Sequence, residues 1–116
     1  MSAIAHTTVD TTTYEPFTGF EEVIEGDPNA KVAWLRTESG GEGVLYTGMF
    51  TAEPSTFRYH FAGDESLHVL DGNLEISVDG GDTVTLAPGD IASFRKGATS
   101  TWVLSTPLRK FFVISG

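Results

Sequence analysis

Apolar and polar residues alternate with a period of two along most of this chain. No window sustains the spacing of three and four that a packed helix requires. Leu74, Ile76 and Val78 share one face of an extended segment whose other face shows Asn73, Glu75, Ser77 and Asp79, the pattern of a sheet with one buried side. Turn formers interrupt the alternation at Asp27-Pro28, Ser39-Gly40-Gly41, Glu53-Pro54, Asp71-Gly72, Gly80-Gly81, Pro88-Gly89-Asp90, Lys96-Gly97 and Thr106-Pro107. The segments between them predict strands near 31–36, 44–52, 56–61, 65–71, 73–79, 82–87, 91–95, 98–104 and 108–115, with one helical fragment expected over residues 18–24. Many short strands at this spacing define an all-β sandwich or barrel.

Composition narrows this further. The chain of 116 residues, 40% hydrophobic and 20% charged, suits one domain, read as a loose or strand-adding tail over residues 1–13 and a β-barrel over residues 14–116. Cysteine is absent, which removes disulfides, thiolate metal sites and a cysteine nucleophile. Sixteen acidic against seven basic side chains give a formal charge of −9, which repels nucleic acid and anionic membranes. Residues 1–13 show neither a basic start nor a long apolar run, so neither a signal peptide nor a membrane span is expected there, and a cytoplasmic location is.

Candidate chemistry concentrates between Arg58 and Gly72. Glu65 begins the run Glu65-Ser66-Leu67-His68-Val69-Leu70-Asp71-Gly72, and His60 stands five residues before it. Arg58 and His60, two apart on a strand, should face the same way and reach Glu65 across a turn, whereas His68, an odd number of residues from Glu65, should turn outward. A guanidinium cannot ligate a metal but can neutralise a carboxylate. Arg58 is therefore expected to pair with Glu65 inside the barrel, occupying the place of a divalent ion, or to bind a substrate carboxylate. His60 is either a lumen acid, base or ligand, or a hydrogen-bonded core histidine. Arg109 and Lys110 alternate across the last strand, so at least one should lie outside.

The residues from His60 to Gly72, together with Gly80-Gly81, Pro88-Gly89-Asp90, Arg95-Lys96-Gly97, Thr101-Trp102-Val103 and Arg109-Lys110-Phe111-Phe112-Val113, resemble a cupin. More narrowly they resemble the small cupins related to ureidoglycine aminohydrolase and to the ethanolamine-utilisation Q protein. The resemblance covers roughly residues 30–114 and implies a double-stranded β-helix of the jelly-roll type and a homodimer. It maps the family's metal-binding positions onto Arg58, His60, Glu65 and Ser100, so two of the four ligand types survive.

Three functions follow as expectations. The first is a lumen that binds a small polar or carboxylate-bearing metabolite, floored by Arg58, His60 and Glu65 and walled by Phe50 and Trp102, with Ser100 beside them. The second is an enzyme. It would be metal-assisted through Mn, Fe, Ni or Zn, or a metal-free isomerase, lyase or hydrolase in which His60 or Glu65 moves a proton. The third is a structural or accessory dimer with a relict pocket. No cofactor is favoured.

Overall fold

The computed structural model describes residues 3–10 and 12–116. Eleven strands are found among them: β1 (Glu15–Pro16), β2 (Glu22–Glu25), β3 (Lys31–Arg36), β4 (Leu45–Ala52), β5 (Ser55–His60), β6 (Asp64–Asp71), β7 (Leu74–Val78), β8 (Thr83–Leu86), β9 (Ile91–Phe94), β10 (Thr99–Leu104) and β11 (Leu108–Ser115). They form a six-stranded sheet in the order β1-β3-β4-β11-β6-β9 and a five-stranded sheet in the order β2-β5-β10-β7-β8, and every pairing is antiparallel. This is an all-β jelly roll. No helix long and apolar enough to cross a membrane occurs among the described residues.

Each of the nine segments bounded by turn residues forms a strand. The helical fragment expected over residues 18–24 does not form: Phe17 to Phe20 run irregularly and Glu22–Glu25 add a strand to β5. The β-branched pair Val23-Ile24 favours that extended form. The tail is irregular over residues 3–10, and Thr7, Thr8 and Val9 lie in a cleft on the outer face of the six-stranded sheet beside Ala33, Met49 and Phe111. Met1, Ser2 and Thr11, which the tail also includes, lie outside the described residues.

The core fills the space between the sheets. Val32, Phe50, Phe57, Phe61, Leu67, Val69, Ile76, Trp102 and Phe112 are buried there. Glycines permit two close backbone approaches. Gly72 has φ +95° between β6 and β7, where the chain leaves one sheet for the other, and a Cβ there would lie 2.3 Å from the Pro107 carbonyl oxygen. A Cβ on Gly48 would lie 2.3 Å from the Ala33 carbonyl oxygen. β5 and β6 follow one another in sequence but belong to opposite sheets, and this sets side chains of the two strands face to face across the lumen.

Candidate functional site

Alternation along β5 and its continuation turns Phe57, Tyr59 and Phe61 toward the lumen, because this period-two aromatic set is what the interior can bury. From the facing sheet, β6 contributes Glu65, 2% exposed, and β11 contributes Lys110, 4% exposed. β6 and β11 pair with a register shift between Arg109 and Lys110: Arg109 stands opposite Asp71 while Lys110 stands opposite Val69. Leu70 is the extra residue of this bulge. It turns Asp71, which shares the parity of Glu65, outward to meet Arg109, with Nε 2.7 Å from Oδ2, while Lys110 keeps the inward parity of Leu108 and Phe112.

Lys110 Nζ donates to Glu65 Oε2 at 2.9 Å, and the Tyr59 hydroxyl donates to the other carboxylate oxygen at 2.8 Å. The ammonium also lies 4.6 Å from the Trp102 ring centroid, 4.9 Å from that of Phe50 and 5.6 Å from that of Phe112. A carboxylate and an ammonium buried this deeply persist because each satisfies the other, and the ring faces offer further attraction to the cation. Burial, the adjacent Glu65 charge and the hydrogen bond to Glu65 all raise the Tyr59 phenol far above the usual range. The phenol is held as a donor.

A small void borders this group, about 40 Å³ in volume and lined by aromatic side chains, among them Phe17, Phe20 and Phe50, as well as by Tyr59, Glu65 and Lys110. By the space a single water occupies, it admits about three waters or a molecule of about as many heavy atoms. Phe17 and Phe20, from the irregular segment before β2, pack edge-on against Phe50.

The expected constellation is brought together only in part. Glu65, Phe50 and Trp102 face the lumen and line its void. Ser100 is fully buried but does not border the void: it accepts from Trp102 Nε1 at 2.9 Å and donates to the Tyr59 carbonyl at 3.0 Å, so it braces the tryptophan. Arg58 does not pair with Glu65. It lies on the outer face of the five-stranded sheet, where Nη1 donates to Asp79 Oδ1 at 3.1 Å and to Thr101 Oγ1 at 3.0 Å. His60 is on the same outer face, exposed, with Nδ1 3.0 Å from Thr99 Oγ1.

The expectation that Arg58 and His60 share the lumen with Glu65 is therefore corrected by one residue of register, which exchanges every inward and outward side chain of a strand. Lys110 is the cation in the barrel. His68, as its parity requires, points away from the lumen on β6, opposite Phe111.

These residues do not fit a divalent ion. Among the described residues no three His, Cys, Asp or Glu side chains come together. The lumen offers one carboxylate, already bonded by a phenol and an ammonium. At an effective dielectric of about 20, a divalent ion about 4 Å from that ammonium would meet repulsion on the order of 8 kcal/mol.

Two sheets folded into one jelly-roll barrel, with polar groups aimed into the lumen, define the cupin class. The EutQ-like cupin domain family matches residues 39–112, more than half of the chain, and the chain belongs to that family. Among solved structures it is similar to a protein assigned as ethanolamine utilization protein Q from Salmonella typhimurium LT2 (22% identity, TM-score 0.74, covering 93% of this chain and 82% of that one). It is also similar to the EutQ protein of Clostridium difficile (26%, TM-score 0.64, 74% and 67%). The polyketide cyclase RemF of Streptomyces resistomycificus shares the fold at 17% identity (TM-score 0.68, 97% and 79%). No curated protein sequence matches. At such identities the structural likeness to the Salmonella and Streptomyces proteins concerns fold, and function must be argued from the site.

Proposed function

We propose that the lumen binds a small, largely apolar metabolite through one polar group, recognised by Lys110, Glu65 and Tyr59. The observation that carries this reading is the buried Lys110–Glu65 pair opening on an aromatic-walled void. Aromatic walls favour an apolar body, while the ammonium, which gives only one of its three N–H groups to Glu65, is the donor for a single oxygen; Tyr59, whose proton is committed to Glu65, holds that carboxylate in place. The ligand differs from the polar metabolite expected with Arg58 in the lumen, because the only lumen cation among the described residues is already neutralised.

The same three groups support acid–base chemistry on such a ligand. Glu65, 2.9 Å from Lys110 Nζ, is placed to move a proton, and hydrolysis of the kind suggested by the resemblance to ureidoglycine aminohydrolase is one form this would take. A homodimer would use the outer face of the six-stranded sheet away from the tail, where Ile91 is 74% exposed and Leu70 and Val113 are half-buried. Analytical ultracentrifugation distinguishes dimer from monomer.

Thermal denaturation against a panel of compounds of about three or four heavy atoms tests the binding reading. A ligand that fits raises Tm with its concentration by linkage, and Val32→Phe, which fills the void, abolishes the rise. Tyr59→Phe, which keeps the volume, reduces the rise for oxygen-bearing compounds. If no compound separates wild type from the filled variant, the reading fails.

A further inference from the structure

Lys110 has the surroundings of a lysine that forms a covalent imine. Resting on the binding reading above, we infer that the lumen captures small aldehydes or ketones as a protonated Schiff base on Lys110. Lys110 and Glu65 both line the void, which puts a carbonyl carbon held there beside the pair. Glu65 Oε2, 2.9 Å from Nζ, is placed to take the proton that must leave before nitrogen can attack. Tyr59 holds the other oxygen at 2.8 Å and so fixes the carboxylate toward the amine; it is a positioning residue.

The step balances within these groups. Glu65 accepts a proton from the ammonium, and the freed amine adds to the carbonyl carbon as the C=O π pair moves onto oxygen. Glu65 returns its proton to that oxygen and takes one from nitrogen, giving a neutral carbinolamine. It then protonates the hydroxyl as the C–O bond breaks, water departs, and the nitrogen lone pair closes the C=N bond. An ammonium and a carbonyl have become an iminium and a water, and Glu65 is again a carboxylate.

The charge pattern suits the product as well as the resting state. The iminium is a monocation at the place the ammonium held, with Glu65 beside it and the rings of Trp102 and Phe50 within 5 Å of Nζ. Condensation therefore leaves the buried charge balance unchanged. The alkyl group of the imine, filling the void, would also displace the water that hydrolyses it.

The chain has three lysines, so the test is simple to read: Lys31 and Lys96 are exposed, and Lys110 is buried. The folded 116-residue chain is incubated with propanal or acetone, reduced with cyanoborohydride, and mapped by peptide mass spectrometry. Lys110 is expected to gain one alkyl group about tenfold faster than Lys31 or Lys96 despite its burial, and Glu65→Gln to slow this by about tenfold or more. Lys110→Arg should lose that adduct while labelling elsewhere continues, with circular dichroism confirming the fold of both variants.

Labelling confined to Lys31, Lys96 and the amino terminus, with Lys110 modified only after unfolding, would overturn the inference. If void-filling Val32→Phe still removes ligand-induced Tm shifts while Lys110 stays unlabelled, the binding reading stands and the imine alone is wrong.

Discussion

Glu65 and Lys110, forty-five residues apart in sequence, meet on adjacent strands as an ion pair with 2% and 5% of their side-chain surfaces exposed. Their union lets one barrel enclose two opposite charges that neither strand could bury alone.

Removing one partner leaves the other as an uncompensated buried charge. Glu65→Leu or Lys110→Met alone should each cost about 3–5 kcal/mol in urea unfolding, whereas the double variant should recover most of that loss. Additive losses in the cycle would show that the two charges do not depend on one another.

Alkaline stability depends on Tyr59. Its folded-state proton is held more tightly than in the unfolded chain, so the contribution is fully present below about pH 10 and falls as pH rises above it, where only the unfolded phenol ionises. The denaturation midpoint of wild type should fall more steeply above about pH 10 than that of Tyr59→Phe. At neutral pH the same variant should cost about 1.5–3 kcal/mol through the lost bond to Glu65. Parallel pH profiles would contradict this assignment.

Arg58 is bonded to Asp79 and Thr101 on the outer face and does not line the void. Arg58→Ala should leave Tm close to that of wild type, and ligand-induced shifts and Lys110 labelling unchanged. A loss of ligand response in this variant would return the arginine to the site.

The strands were legible because turn formers bound them and one buried face imposes alternation. The inward set of β5 was also legible: Phe57, Tyr59 and Phe61 form the apolar stripe, leaving Arg58 and His60 outside. Matching a histidine to a family position favours the opposite register and conceals Tyr59. On β11 the pattern is ambiguous, since Leu108 and Phe112 mark one face while Phe111 and Val113 mark the other. Lys110 shares the parity of Leu108 and Phe112, and only the long-range pairing of β11 with β4 and β6 decides that this face is the buried one; such pairing has no local signature here.

Phe17 and Phe20, from the irregular segment before β2, line the void. Trp102 is 1% exposed whereas Trp34 is 41% exposed, so the two differ in access to a quencher. In a Trp34→Phe background, Trp102 emission should resist acrylamide, and Phe20→Ala should raise its quenching several-fold. Equal quenching with and without Phe20 would mean that this ring does not guard the lumen.

The lysine–glutamate pair occupying the charge niche of a divalent ion is tested most directly by elemental analysis of purified protein supplied with Mn, Fe, Ni and Zn. The expected result is far less than one ion per chain, unchanged in Glu65→Gln. About one ion per chain, lost in Glu65→Gln, would contradict it.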